Sequence, residues 1–528
     1  MNNITSKLLA GVFVLSLSSG IFAQEPAKGT LNWYNGKKYG MYTDKAYKKL
    51  LKDKNGKKVI VAVIDSGVDI EHEDLKGVIW VNEDEIPNNG IDDDNNGFVD
   101  DIHGWNFLGN EKGEHANDAQ LEVTRIYARL DKKFADKKES EIAEADKADY
   151  KKYLEVKEIV EKEVKSAKMQ LAQIKQIKEF METMDKTFTT MYGKDYSIKD
   201  LKKATKIPEL EQAASAMIEF KKMGLDEESL KEAEEHFEST LKYHYNKDFT
   251  ADRDLIGDNP SDFSDTDYGN NDVEGPDALH GTHCSGIIAA VRNNGLGNDG
   301  VADNVKIMVL RAVPNGDERD KDIALSIRYA VDNGAKVISM SFGKGYSEND
   351  AEVIKAIRYA ESKDVLLVHA AGNSNKDNDR GGNYPTPKYP SMDKKFTNWL
   401  EVGASTRYKK HLAADFSNYG DTIVDVFAPG LEIYSTVPQS EYLTTQGTSM
   451  ACPMVSGVAA VIKSYYPSLT MVEIKDIIKE SVKDVSKKKT PKPGTAEKVP
   501  FGTLSNTGGI VNLYNALKLA EEKVATKK

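Results

Sequence analysis

Val59-Ile60-Val61-Ala62-Val63-Ile64-Asp65-Ser66-Gly67 is the stretch from which the fold is read. A continuous apolar run, rich in β-branched residues and closed by a Gly turn, reads as a strand buried on both faces. Similar runs recur at 305–309, 336–340, 365–370 and 422–427, and helical periodicity fills 322–333 and 349–362. Strands alternating with helices predict a mainly parallel sheet covered on both sides, a doubly wound α/β domain.

One stretch interrupts the pattern. Residues 111–250 are Lys/Glu-rich and nearly free of Gly and Pro. Within them Val160, Val164, Ala167, Leu171, Ile174 and Met181 follow heptad-like steps, with Lys178 at the skipped position. That spacing predicts a long amphipathic helix. Pro208 marks a break, and Asp226 reads as the N-cap of a helix to about residue 245. The segment is expected to be a helical insertion with its own small core, dividing the α/β domain into 59–110 and 251–528. Its role is open between packing alone and a lid or partner-docking arm.

The chain has 528 residues, 39% hydrophobic and 30% charged, with a net charge of −12. That balance suits a globular protein and argues against nucleic-acid or anionic-membrane partners. Residues 1–23 read as an export signal: Lys7 precedes an apolar stretch at 8–22 that ends in a small residue, Ala23. The stretch is short for spanning a bilayer, and no later segment is apolar enough to span. An exported protein is expected, periplasmic or extracellular, with no integral membrane segment after cleavage and a short N-terminal segment at 24–58. Cys284 and Cys452 are the only cysteines, too few for a disulfide scaffold. They read as buried thiols, with a bond between them left open.

Four segments carry candidate chemistry. Asp65 stands where the first apolar run ends, and C-terminal strand ends line the crevice of an open α/β sheet. A carboxylate there can orient a histidine. In His280-Gly281-Thr282-His283-Cys284-Ser285-Gly286 two histidines open a helix of small residues. Either suits a general base, and without further ligands the pair makes a weak zinc site. Asn373, after Gly372, offers a side-chain N–H to an oxyanion. Ser449, in Gly447-Thr448-Ser449-Met450-Ala451-Cys452-Pro453, begins an apolar helix whose free N–H groups favour negative charge. Such a hydroxyl becomes a nucleophile only beside a base. Taken singly, three of them have plainer readings, as a turn-capping Asp, a turn Asn and an N-cap Ser.

Together, and in this order, the blocks around Asp65, His280, Asn373 and Ser449 resemble the signatures of the subtilisin-like serine proteases, the subtilases. The resemblance covers about 59–109 and 255–520. It implies a subtilisin-like three-layer α/β fold and a serine endopeptidase that cleaves protein or peptide substrates through an acyl-enzyme, with no organic cofactor. On this resemblance Ser449 is the nucleophile and His280 the general base, then acid. His283 is the structural second histidine of the block. Asp65 orients His280, and Asn373 with the Ser449 backbone N–H forms the oxyanion hole. Ser341, Phe342 and Gly343 match the strand to which a peptide substrate adds its backbone. That strand and residues 370–373, Gly372 among them, are expected to line the S1 pocket. Sedolisin-like relatives use Glu as base and Asp at the oxyanion position, so His280 and Asn373 disfavour that branch.

The segment Ile91-Asp92-Asp93-Asp94-Asn95-Asn96-Gly97-Phe98-Val99-Asp100-Asp101 spaces oxygens around a Gly, which suits a hard cation such as Ca²⁺. The expected ligands are Asp92, Asp94, Asn96, Phe98 and Asp101. The loop is no full EF-hand, because its twelfth position is His103. A plain acidic turn is the alternative. Asn293-Asn294-Gly295-Leu296-Gly297 resembles a second calcium loop of the family more faintly. Against the family pattern, 215 residues separate Asp65 from His280, and 24–58 is short for the usual pro-domain.

Overall fold

The computed structural model describes residues 26–27 and 29–527. The export signal read at 1–23 lies outside them. The chain forms two compact units, one of Val123–Phe249 and one of the described residues before Val123 and after Phe249. Among the described residues no helix is long and apolar enough to cross a membrane.

The larger unit is built on a nine-stranded sheet. Its strands are β1 (Val59–Asp65), β2 (Gly104–Asn106), β3 (Val305–Arg311), β4 (Val337–Met340), β5 (Leu366–Ala370), β6 (Trp399–Ser405) and β7 (Val426–Pro429). A hairpin of β8 (Ile433–Val437) and β9 (Glu441–Thr445) stands apart, as does a small one of β11 (Lys489–Pro491) and β12 (Lys498–Pro500). The short β10 (Lys483–Asp484) and β13 (Gly509–Ile510) complete the sheet at one edge. Spatial order is β10-β13-β7-β6-β5-β4-β1-β3-β2. Every pairing in that sheet is parallel except β10 with β13. The chain enters at β1, fills β3 on one side, and then crosses to β4 on the other. That reversal of direction opens a crevice at the C-terminal strand ends.

Both faces of β1 are buried, as its unbroken apolar run requires. Val59, Val61 and Val63 join one core cluster, Ala62 and Ile64 the other. Two apolar helices cover the first face, α6 (Leu279–Ala289) and α9 (Thr448–Tyr465), while α7 (Asp320–Asp332) and α8 (Asp350–Ser362) cover the second. The strand expected over 422–427 begins only at Val426. Thr422 and Ile423 instead turn their N–H groups onto the Asp379 carboxylate. Strand β6 was not anticipated, because Glu401 and Gly403 interrupt its apolar pattern, yet every residue in it is buried.

The smaller unit is helical. It holds most of α1 (Glu122–Phe134), then α2 (Lys147–Tyr192), α3 (Ile198–Ala204), α4 (Glu211–Lys222) and α5 (Glu227–Ser239). Helix α2 has 46 residues, a length of about 69 Å at 1.5 Å per residue. Its C-terminal half packs Ile174, Ile177 and Phe188 against Met217, Phe220 and Leu230 in a separate core. Lys178, the charge at the skipped heptad step, reaches Glu234 on α5 at 2.7 Å. Asp226 caps α5 by accepting from Ser229 N.

Candidate active site

Asp65, at the C-terminal end of β1, is 2% exposed, and its Oδ1 accepts from Ser66 N at 2.8 Å. The same oxygen lies 2.6 Å from His280 Nδ1. That approach depends on Gly281, the next residue of α6. A methyl group there would stand 2.1 Å from the Gly67 carbonyl oxygen and 3.1 Å from Asp65 Cβ. Helix α6 can therefore reach the end of β1 only with glycine at this position. Burial presses the His280 pKa down, but the Asp65 charge and hydrogen bond outweigh it, so the group sits above its ordinary value.

His283 is a different kind of histidine. It is wholly buried, and its Nε2 faces the Leu443 carbonyl at 3.1 Å, so that nitrogen carries the proton. Burial pushes its pKa down to about 4. It is neutral at physiological pH and bonded to the β9 backbone. The two histidines left open by spacing are thus separated by environment.

Ser449 is the second residue of α9. Its hydroxyl donates to the Ser341 carbonyl at 2.9 Å rather than to His280. Pro453 lies four residues on and has no N–H for the Ser449 carbonyl. That freed carbonyl accepts from Ser341 Oγ at 2.9 Å and Cys284 Sγ at 3.4 Å. The break in the helix ladder thereby ties the Ser449 backbone to the segment that follows β4 and to α6. Beside it, Asn373 Oδ1 accepts from Thr448 N at 2.8 Å and Thr448 Oγ1 at 2.9 Å. With its oxygen so held, the amide keeps its Nδ2 hydrogens for a ligand.

Ser341, Phe342 and Gly343 separate two cavities. One of about 500 Å³ is lined by Asp65, His280, Arg311 and 313–316. The other, of about 300 Å³, lies between Ser341–Gly345 and the segment with Ala370, Gly372 and Asn373, and reaches Ser449. Gly372 has φ +99° and donates its N–H to Thr448 Oγ1, with no room for a side chain beside Asn418 Nδ2.

Residues 56–502 match the model of the subtilase family. The chain belongs to the subtilase family. It is 37% identical to the thermophilic serine proteinase of Bacillus sp. (strain AK1) over 257 residues, 48% of this chain and 55% of that protein. It is 42% identical to thermitase of Thermoactinomyces vulgaris over 186 residues, 35% and 61% of the two chains. The cell wall-associated protease of Bacillus subtilis (strain 168) is 37% identical over 234 residues, 44% of this chain and 24% of that one. The chain thus spans little more than half the length of the first two relatives.

In this subtilase the acidic loop after β1 gathers carboxylates. Glu85, Asp92 and Asp94 bring one oxygen each to within 4.8 Å of one another. Asp92 Oδ1 and Asp94 Oδ1 both accept from Asn96 N, and Glu85 Oε1 accepts from Asp93 N and Asp94 N. Asp101 turns to Asn82, Asn96 and Tyr329. Phe98 places its ring against Trp105 and Tyr329, anchoring the loop. Burial and the neighbouring carboxylates hold Glu85 above the usual range. No lysine or arginine among the described residues pairs with Glu85, Asp92 or Asp94. An all-oxygen, uncompensated set fits a hard divalent cation. In the second loop, Asn294 Nδ2 donates to Asp74 Oδ1 at 2.6 Å, while the buried Asp74 Oδ2 has no partner.

Sequence reasoning missed Thr448 as the clamp on Asn373, Glu85 in the acidic loop, and Asn383 and Asn418 beside Gly372 in the wall of the smaller cavity. Thr448 stood inside the Gly-Thr-Ser block, and Glu85 seven residues before Asp92 in an acidic run. The two asparagines had no local signal.

Proposed function

We propose that the protein is an exported serine endopeptidase that cleaves protein substrates through an acyl-enzyme, with Asp65, His280 and Ser449 as its triad. The observation that carries this reading is the short Asp65–His280 contact of 2.6 Å at the crevice that also holds Ser449. A peptide laid along Ser341–Gly343 would offer a backbone N–H to the Ser341 carbonyl. That donor would replace the Ser449 hydroxyl, freeing it to turn to His280. His280 Nε2 then takes the hydroxyl proton as Ser449 Oγ bonds to the substrate carbonyl carbon. The resulting oxyanion is met by Asn373 Nδ2 and the Ser449 N–H at the start of α9. His280 returns the proton to the leaving amine as the C–N bond breaks. Water, deprotonated by the same imidazole, releases the acyl group.

Ca²⁺ is proposed for the acidic loop, where Glu85, Asp92 and Asp94 would supply carboxylates, with Asn96, the Phe98 carbonyl and Asp101 around them. Bound there, the ion would neutralise the loop and stabilise the fold. The helical unit is proposed as an arm restricting access for folded substrates, from its place in the chain between Asp65 and His280. Deleting 123–249 should then speed cleavage of a folded protein more than of a short peptide, and equal rates would count against it.

The triad is tested by assaying casein and short chromogenic peptides with the wild type and Ser449→Ala. Activity confined to the wild type is expected, and equal activity in both would sink the assignment.

A further inference from the structure

The net charge of −12 conceals a local reversal of sign. From 483 to 498 the chain carries Lys483, Lys487, Lys488, Lys489, Lys492 and Lys498 against only Asp484 and Glu497. The fold keeps these lysines together. Tyr39 lies under two of them, its ring centre 5.1 Å from Lys483 Nζ and 5.2 Å from Lys488 Nζ. Lys483 also donates to the Lys38 carbonyl, which brings the exposed Lys38 to the same place. In the β11–β12 hairpin Thr490 stands opposite Val499, and both side chains turn inward. The alternation of a strand then puts Lys489 and Lys498 on the outer face, where both are exposed.

Among the described residues no carboxylate pairs with any of the six. Lysines before and after them do pair, Lys479 with Asp425 at 2.6 Å and Lys523 with Glu480 at 2.9 Å. Asp484 instead accepts from Ser486 N at 2.9 Å. A cation resting on an aromatic ring keeps its charge for a partner. The lysines also reach the smaller cavity. The hairpin turn docks beside it: Gly494 donates its N–H to the Asp415 carbonyl at 2.9 Å, and a methyl group on Gly494 would stand 2.6 Å from Asn375 Cγ. Lys492 Nζ lies 5.1 Å from the centre of the Tyr419 ring, and Tyr419 N donates to the Lys376 carbonyl at 3.0 Å. Lys376 is exposed and lines the cavity that ends at Ser449. A row of unpaired ammonium groups therefore leads from Tyr39 to the crevice.

Resting on the endopeptidase reading, we infer that this row is an exosite: it holds an acidic segment of a protein substrate, away from the scissile bond, and so raises the effective concentration of that bond at Ser449. The chain as a whole repels acidic polypeptides, so their capture depends on this row. A lipid surface fits less well. None of the exposed large apolar side chains among the described residues lies at 483–500, whereas insertion at a bilayer surface needs them. A row that runs into a cleft suits an extended chain.

The test measures kcat/KM for one neutral fluorogenic peptide, extended through a Gly-Ser linker by a run of Glu, Gln or Lys on its amino or its carboxyl side. The enzymes are the wild type and the triple variants Lys488→Gln/Lys489→Gln/Lys492→Gln and Lys488→Glu/Lys489→Glu/Lys492→Glu. In the wild type at about 20 mM salt, the Glu run on one of the two sides is expected to exceed the Gln run by about tenfold, through KM, because single exposed pairs are weak and several must add. That ratio should fall to about one near 0.5 M salt. It should fall likewise in the Gln variant, and the Glu variant should prefer the Lys run. A ratio of one in the wild type at low salt, or a ratio unchanged in both variants, overturns the exosite and leaves the triad standing. So does sedimentation of Ser449→Ala with phosphatidylglycerol vesicles, lost in the Gln variant, if no Glu run is favoured. No cleavage of any peptide, with wild type and Ser449→Ala alike, overturns both.

Discussion

Replacing Asp65 by Asn probes the shortest contact of the site. The Asn side chain keeps the shape and can leave an oxygen where Oδ1 accepts from Ser66 N and His280 Nδ1. What it removes is the charge. A carboxylate and an imidazolium with charge centres about 4 Å apart attract by about 4 kcal/mol at an effective dielectric constant near 20. The His280 side chain is 39% exposed, so solvent screens part of that attraction. Since about 1.4 kcal/mol is tenfold in rate, kcat/KM should fall on the order of 10² to 10³. The pH profile carries the sharper signature. His280 must be neutral to accept the Ser449 proton, so activity falls as pH drops through its pKa. In the wild type Asp65 lifts that pKa, placing the acid limb above the ordinary histidine value of 6.5. In the Asn variant the downward push of burial is opposed only by the smaller effect of the Asp277 charge, and the limb should move to lower pH. Peptide hydrolysis from pH 4 to 9, with circular dichroism to show an intact fold, makes the measurement. A loss below tenfold, or an acid limb that stays in place, would refute the role given to Asp65.

Other consequences are separable. Gly281→Ala places a methyl 2.1 Å from the Gly67 carbonyl. It should abolish turnover while the helical unit keeps its far-ultraviolet signal, and near-normal activity would contradict the close approach. Lys344→Met leaves the Glu122 and Asp320 carboxylates, 7% and 6% exposed, without their shared cation. It should destabilise the larger unit by about 3 to 5 kcal/mol, read by denaturant unfolding. Burial lifts the Cys452 thiol to about 11 and Cys284 well above its ordinary value. Iodoacetamide at pH 8 should therefore label neither until the chain is unfolded. Saturating the acidic loop with Ca²⁺ at about 100 times its Kd should add about 2.7 kcal/mol. The gain should vanish in Asp92→Ala/Asp94→Ala, and identical melting with calcium and with EDTA would remove the metal from the reading.

What the sequence showed and what it hid divide along a physical line. The apolar run of β1 is legible because a strand buried on both faces can hold almost nothing else. Asp65, His280, Asn373 and Ser449 are legible because each needs several consecutive residues to satisfy one local geometry. His280 needs Gly281 for the helix to approach Gly67, and Ser449 needs Pro453 to free its carbonyl for Ser341 and Cys284. Such demands leave contiguous patterns. The floor of the pocket leaves none, because it is made by which strands lie side by side. His369 on β5 stands beside Glu401 on β6 through the register of the sheet, and Asn383 meets Glu401 from a loop between those strands. Neither Asn nor Glu is unusual in its own neighbourhood, and β6 itself escaped notice because Glu401 breaks its apolar pattern. The residue that hid the strand is the one that orients Asn383. For this reason the candidate site reads from short blocks, while the polar pairs behind it exist only once the sheet is assembled.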